Sequence, residues 1–339
     1  MNQKIDRFDR IGVVGAGAWG TALALIAARA GREAILWARN SKIADDINRQ
    51  HVNSVYLPEV KLPDTLRATG DLAELGGADA LLLAPPAQGM RAVATRLSGE
   101  LPAATPLVIC AKGIEQNSLA MMHEILSEIL PDNPVAVLSG PTFAAEAGRG
   151  LPTAVTLAVS NDEVGAAIGE QLVSAIGMPT FRPYLSTDIV GAEIGGAVKN
   201  VLAIACGIVS GRQLGENARA AIITRGMAEI LRLGLAKGAL QETMMGLSGM
   251  GDLVLTCGSN QSRNMSLGQA LGEGQDLADI LASRPTVAEG VFSASAVCDL
   301  AATLNVEMPI CAAVNSIVNH DANVDDAIEN LLNRPFRNE

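Results

Sequence analysis

Residues 11–31 constrain the fold more than any other part of this 339-residue chain. Ile11, Val13 and Val14 form a short apolar run. Gly15-Ala16-Gly17-Ala18-Trp19-Gly20 follows, and an Ala/Leu-rich segment then reads as a helix over 21–30, closed by Gly31. Strand, glycine turn and helix in that order are the context a G-x-G-x-x-G pattern needs to bind a dinucleotide. Gly15 allows the tight turn, Gly17 lets the backbone approach a pyrophosphate, and Gly20 permits close packing of helix on strand. The helix N-terminus then faces the anion.

The apolar runs that follow alternate with helical stretches: 34–37, 81–83, 107–109 and 135–138, with later strands at 153–160 and 180–184 and a helix over 162–176 between them. That alternation predicts an α/β fold, a Rossmann-like doubly wound parallel sheet with crossover helices. From Gly191 strand signals largely stop, and helical periodicity appears at 217–235, 277–281, 294–304, 310–318 and 324–332. A chain of this length exceeds one comfortable core. We therefore expect two domains, 1–190 for the dinucleotide and 191–339 an all-helical domain for the substrate, with no low-complexity linker between them.

Ligands in such sheets sit outside the carboxyl ends of the strands, so the residues there carry most weight. After the second strand comes Ala38-Arg39-Asn40, with no acid between Trp37 and Ser41 to hold ribose hydroxyls. Arg39 could take a 2′-phosphate or lie against the adenine, so NADP is at least accepted; a solvated loop arginine is the even alternative. Lys112 follows another strand and could hold an anionic or carbonyl oxygen. Gly140 could let the main chain approach a substrate, with Thr142 as a hydroxyl donor. A surface lysine and an ordinary turn are their plain readings.

The stretch GAEIGGAVKNVLAIACGIVSG, 191–211, reads as a helix apolar on nearly every side, which implies burial, yet Lys199 and Asn200 sit in its middle. A buried ammonium is costly unless paired or shifted toward neutrality. A ketone reductase needs a proton donor at the carbonyl oxygen, and a buried lysine suits that role. A snorkelling lysine with its head at the surface is the alternative. Two glycine-rich interruptions follow. The first, 246–253, could present Asp252 to a ligand or use it as a helix cap. The second, 258–264, puts the hydroxyl of Ser262, the guanidinium of Arg263 and the amide of Asn264 within three residues, a good set for a phosphate, or a polar surface loop. None of His51, His123 and His320 has a comparable setting.

Composition narrows the partners. Net charge is −11 and aromatics are 3%, which argues against nucleic acid, so an anionic ligand must meet a local Lys/Arg cluster. The five cysteines are scattered, without C-x-x-C spacing or a nearby His, so they read as reduced thiols and no metal is expected. The polar start MNQKIDRFDR gives no convincing signal peptide, and Glu193, Lys199 and Asn200 interrupt the one long apolar helix. We expect a cytoplasmic protein with no membrane span.

With these residues the chain strongly resembles the bacterial-type NAD(P)-dependent glycerol-3-phosphate dehydrogenases. The resemblance is carried almost end to end by VVGAGAWGTALA, AKGIE, SGPTFAAE, GAEIGGAVKNVLAIACG, NARAAIITRG, GLSGMGDLVLTC, SRN and AEGV. It implies reduction of dihydroxyacetone phosphate by NADPH or NADH to sn-glycerol 3-phosphate, the glycerophospholipid precursor, and a homodimer. It implies that Lys199 is proton donor and acceptor, and that Lys112, Gly140, Thr142, Asp252, Ser262, Arg263 and Asn264 bind substrate with it. Along the cofactor it adds Ala18, Trp19, Arg39, Lys112, Ala144, Arg263, Val287 and Glu289 to the three glycines of the turn. Ala144, Val287 and Glu289 rest on the resemblance alone. Two departures stand out: Ala18 replaces a Ser common in relatives, and Pro85 precedes the P-A-Q segment where an apolar residue is usual. A hydroxyacid or hydroxyacyl dehydrogenase would need a carboxylate or thioester pocket instead of the S-R-N set. A redox sensor would carry a degraded catalytic set.

Overall fold

The structure, a computed structural model, describes residues 8–283 and 288–335. Val287 therefore lies outside the described residues. The chain divides into two compact units, one of residues 1–112 and 120–193, the other of residues 113–119 and 194–339.

The first unit holds β1 (Arg10–Val14), α1 (Ala18–Arg29), β2 (Glu33–Trp37), α2 (Ser41–Gln50), β3 (Val52–Asn53), β4 (Leu57–Lys61), β5 (Arg67–Thr69), β6 (Ala80–Leu83), α3 (Met90–Leu97), β7 (Leu107–Ile109), α4 (Met122–Ile129), β8 (Val135–Ser139), α5 (Ala144–Arg149), β9 (Thr153–Ala158), α6 (Glu163–Ile176) and β10 (Phe181–Ser186). Eight strands form one sheet in the order β10-β9-β8-β7-β6-β1-β2-β5, and β3 and β4 form a separate antiparallel pair. From β1 the chain builds outward through β2 to β5, then returns to place β6 on the other side of β1. That reversal is the switch point at which doubly wound sheets bind ligands.

The strands read as unbroken apolar runs because both faces are covered. Ala80, Leu82, Leu36 and Val108 enter one core with α1 and α6 residues such as Leu23, Leu25 and Leu172. Leu81, Leu83, Ile35 and Ile109 enter the other, with Met90, Leu97, Ile125 and Leu126 from α3 and α4. The period of two in side-chain direction sorts each strand between the two cores.

Three features differ from the sequence expectation. The sheet is not wholly parallel: β9 runs antiparallel to β8, with β10 parallel to β9. The six-residue α5 rises only about 9 Å, too short to carry the chain back along the sheet for a parallel crossover. Helix α1 begins at Ala18, three residues before the expected start, because Gly17 already serves as its N-cap. The hairpin β3–β4 and the edge strand β5 are additions; they are short, and their few buried positions form no apolar run that the sequence could signal.

Helix α7 (Ile189–Gly211) starts in the first unit and continues into the second. The second unit then holds α8 (Gly215–Ala236), α9 (Gln241–Met245), a π-helical turn (Leu247–Gly251), α10 (Asp252–Cys257), α11 (Arg263–Gly272), α12 (Leu277–Ala282), α13 (Glu289–Thr303), α14 (Pro309–Asn319) and α15 (Val324–Leu332). By length and composition α7 could cross a bilayer, but 89% of its most apolar window is buried inside the protein. Its glycines explain how: a Cβ on Gly207 would lie 2.1 Å from the Met265 carbonyl oxygen, and one on Gly268 2.0 Å from that of Ile204, so α7 and α11 touch backbone to backbone. Glu229 on α8, 1% exposed, accepts from the Ile310 and Cys311 amides and so caps α14 from another helix. The five cysteines are free thiols. Burial pushes the Cys298 thiol up to about 12.

Candidate active site

The glycine turn lies at the carboxyl end of β1, and its three glycines are required for three different reasons. Gly15 has φ +108°, and its missing Cβ would stand 2.8 Å from the Ala84 carbonyl oxygen beyond β6. A Cβ on Gly20 would stand 1.8 Å from the Gly15 carbonyl oxygen, so only glycine lets α1 sit against the turn. Around Gly17 no protein atom lies within 4 Å of where a Cβ would be. The protein leaves that space open, as a backbone approached by a ligand requires. Helix α1 has no side-chain cap and no acid in its first turn, which suits an anion at its N-terminus. The indole nitrogen of Trp19 is buried without a hydrogen-bond partner in the protein. The turn therefore fits a dinucleotide. Ala144, the first residue of α5, packs against the same apolar cluster as Ala18 and Trp19. Arg39 is exposed just after β2.

A second group forms at the carboxyl ends of β7 and β8. Lys112 Nζ donates to the Gly140 carbonyl at 3.1 Å, and Thr142 Oγ1 donates to the same oxygen at 3.3 Å. Gly140 has a packing reason to be glycine. A Cβ there would stand 2.9 Å from Val155 Cα, so the neighbouring strand β9 excludes it.

In the second unit Lys199, 7% exposed, is held by side chains from α10. Its Nζ lies 2.9 Å from Asp252 Oδ1 and donates to Thr256 Oγ1 at 2.8 Å. Thr256 Oγ1 in turn donates to the same Asp252 oxygen at 3.3 Å. Asp252 is fully buried and is the first residue of α10, whose N-cap is Gly251; it binds the lysine rather than capping the helix. The π-helical turn places it there: a Cβ on Gly195 of α7 would stand 2.6 Å from the Ser248 carbonyl oxygen, so the turn and the Lys199 helix are in backbone contact. The carboxylate answers the cost of burying the ammonium.

The S-R-N set begins α11 instead of remaining a loop. Ser262 is its N-cap, accepting from the Met265 amide at 3.2 Å, and Arg263 is exposed in the first turn. Asn264 is buried, donates to Asn200 Oδ1 at 2.9 Å and accepts from the Gly290 amide at 3.0 Å. Asn200 thus joins α7 to α11. The same amide contact brings Glu289, first residue of α13, beside this set. The described residues of this unit therefore gather Lys199, Asn200, Asp252, Ser262, Arg263, Asn264 and Glu289 on four neighbouring helices.

Two side chains escape sequence reasoning. Thr256 lies one helical turn beyond Asp252, a spacing visible in the sequence once Asp252 is taken as a ligand of the lysine. His123 in the first unit has no distinctive sequence setting, yet its Nδ1 lies 2.5 Å from Glu193 Oε2 and its amide donates to Glu193 Oε1 at 3.1 Å. Burial pushes the Glu193 carboxyl above the usual range, and the histidine opposes that shift. A second charged residue in the apolar α7 is the signal that points to this pair.

Comparison with known proteins identifies the family. The family model of the NAD-dependent glycerol-3-phosphate dehydrogenase N-terminus matches residues 10–165, and that of the C-terminus matches 188–329. The chain is 57% identical over 332 residues to a glycerol-3-phosphate dehydrogenase (NAD(P)+) of Parvibaculum lavamentivorans, covering 98% of both. It is 57% identical over 338 residues to one of Rhodospirillum rubrum, covering 99% of this chain and 95% of the relative. The crystal structure of glycerol-3-phosphate dehydrogenase from Coxiella burnetii superimposes with a TM-score of 0.91 at 41% identity, over 96% of this chain and 98% of that one. With both family models in order along a fold that carries the glycine turn and the buried lysine, the chain belongs to the NAD-dependent glycerol-3-phosphate dehydrogenase family.

Proposed function

We propose that this chain reduces dihydroxyacetone phosphate to sn-glycerol 3-phosphate with NADPH or NADH, using Lys199 as the proton donor, and that it runs the reverse oxidation with Lys199 as the acceptor. The observation that carries this is the Lys199 ammonium, buried and held between Asp252 and Thr256. When bound, the reduced nicotinamide supplies hydride to the carbonyl carbon. Negative charge then builds on the carbonyl oxygen, and Lys199 Nζ delivers a proton to it. Asp252 and Thr256 fix the direction of the ammonium, so less reorganisation is needed at the moment of transfer.

The S-R-N set takes the substrate phosphate. Ser262 and the first turn of α11 offer hydroxyl and amide donors, and the Arg263 guanidinium adds charge. Lys112, with Gly140 and Thr142 beside it, binds the substrate as a second cation. Gly15, Gly17, Gly20, Ala18 and Trp19 hold the pyrophosphate side of the cofactor, Arg39 the adenosine side, with Ala144, Arg263, Val287 and Glu289 along it. Residues 1–190 thus serve mainly the cofactor and 191–339 mainly the substrate. Free, mostly buried thiols suit the reducing cytoplasm. Leu235, Leu240, Met245 and Val254 expose apolar area that supports a homodimer, which light scattering would test.

The product is a phosphorylated glycerol, the precursor of glycerophospholipids. The test is loss of NADPH absorbance, and separately NADH absorbance, on adding dihydroxyacetone phosphate, with unphosphorylated dihydroxyacetone as control. Rapid oxidation confined to the phosphorylated ketone supports the reading. No oxidation with the cofactor still bound would mean a different substrate on the same fold.

A further inference from the structure

The hairpin β3–β4 has no part in the main sheet, yet it delivers one polar side chain to the rear of the glycine turn. Asn53 is 1% exposed. Its Nδ2 donates to the Ala16 carbonyl at 2.9 Å and to Thr21 Oγ1 at 2.8 Å, and its Oδ1 accepts from the Tyr56 amide at 3.1 Å. The Thr21 hydroxyl, fully buried, donates its own proton to the Gly17 carbonyl at 2.8 Å. Two consecutive carbonyls of the turn, those of Ala16 and Gly17, are thereby held from one side by a two-residue relay.

Across a trans peptide the carbonyl and the amide N–H point in opposite directions. Drawing the Ala16 carbonyl toward Asn53 aims the Gly17 N–H the other way. Drawing the Gly17 carbonyl toward Thr21 does the same for the Ala18 N–H. These are the amides at the start of α1, beside the space the protein leaves open at Gly17. The hairpin is itself held in place. Leu57 and Val60 of β4 are buried in the same core as α1, and the strand pairing shifts register between Val52 and Asn53.

We propose that Asn53, acting through Thr21, is a positioning residue that aims the Gly17 and Ala18 amides at the pyrophosphate of the dinucleotide. The inference rests on the reading of the turn as a dinucleotide site. It differs from a scaffold role, because it ties Asn53 to one chemical group of the ligand and not to the ligand as a whole. Asn53→Asp keeps the shape and removes the donor, leaving an acceptor facing the Ala16 carbonyl. Thr21→Val keeps the shape and breaks the relay, and Thr21→Ser restores the hydroxyl.

The experiment measures displacement of fluorescent NADPH from the full-length protein by ADP-ribose, which carries the pyrophosphate, and by adenosine, which does not. Melting temperature is recorded alongside. For Asn53→Asp the expected result is a loss of ADP-ribose affinity of about tenfold or more, with adenosine affinity within about twofold of the unmodified protein. Thr21→Val is expected to weaken ADP-ribose in the same selective way, and Thr21→Ser to recover it. If Asn53→Asp does not fold, the Thr21 pair decides alone. Unchanged ADP-ribose affinity in folded variants would overturn the proposal, as would a parallel loss of both ligands together with the melting temperature. Failure of ADP-ribose to bind the unmodified protein would instead overturn the dinucleotide reading, and the proposal with it.

Discussion

The glycine turn and the Lys199 cluster solve the binding of polar groups in opposite ways. At the turn the chemistry lies in the backbone, and the side chains matter by their absence: Gly15 and Gly20 are glycine because protein atoms fill the Cβ space, Gly17 because that space is left open. At Lys199 the chemistry lies in side chains, and each is held by another, lysine by aspartate and threonine, Asn264 by Asn200. A backbone site depends chiefly on a short contiguous segment, with Asn53 as a distant support. A side-chain site depends on partners 53 residues apart for Lys199 and Asp252, and 64 for Asn200 and Asn264. The first kind tolerates no added side chain at its glycines; the second tolerates almost no change of chemistry.

Substitutions can break or sharpen that contrast. Lys199→Ala removes the proton donor and is expected to lower kcat about 10³-fold, read by NADPH oxidation with dihydroxyacetone phosphate. Near-normal turnover in a folded variant would take Lys199 out of the chemistry. Gly20→Ala forces a methyl against the Gly15 carbonyl, so NADPH affinity is expected to fall about 100-fold together with the melting temperature. An intact melting temperature would show that the turn adjusts more easily than its contacts suggest.

Glu229 serves as a control in the second unit, a buried side-chain partnership outside the proposed chemistry. Glu229→Ala leaves the Ile310 and Cys311 amides without their acceptor and is expected to cost about 2 kcal/mol of stability, by denaturant titration, with kcat unchanged. Burial raises the Glu229 carboxyl from its ordinary 4.5. The native state then holds that proton more tightly than the unfolded chain, so this group's contribution to stability falls as pH rises from 4.5 through the raised value. Glu229→Gln is expected to reduce that slope in melting curves between about pH 4 and about pH 8. An unaltered slope would assign the titration elsewhere, with Glu193 the next candidate. The smallest effect belongs to Arg39, an exposed side chain near a turn that works through its backbone. Arg39→Ala is expected to raise KM for NADPH about fivefold and leave KM for NADH unmoved. Equal changes would remove the 2′-phosphate role.

Legibility in the sequence follows the same division. The β1–turn–α1 unit, the apolar strands and helices α7, α8 and α12 to α15 are legible because each signal is local: a glycine spacing, a buried run, a 3.6-residue period; α9 to α11 are not, because glycines interrupt the period there. The reversal of β9 is not, since Thr153–Ala158 looks the same in either direction and only the shortness of α5 decides it. At the site, Lys199 is legible as a charge in an apolar helix. Its partner Thr256 is not, because a threonine in a helix carries no signal until Asp252 is known to face the lysine. The S-R-N residues are legible as a set, but their division of labour is not: Ser262 caps α11, Asn264 ties three helices together, and Arg263 stays exposed. Asn53 sits in a polar stretch whose short strands leave no pattern.

Cofactor binding, on this view, belongs to the backbone of the turn and proton transfer to the side chain of Lys199. The most direct measurement of that division is the NADPH dissociation constant of Gly17→Ala and Lys199→Ala, side by side, with melting temperatures. Gly17→Ala is expected to bind NADPH about tenfold or more weakly at an unchanged melting temperature, since the added methyl meets no protein atom. Lys199→Ala is expected to bind within about twofold of the unmodified protein. Full NADPH affinity in Gly17→Ala, or its loss in a folded Lys199→Ala, would contradict that division.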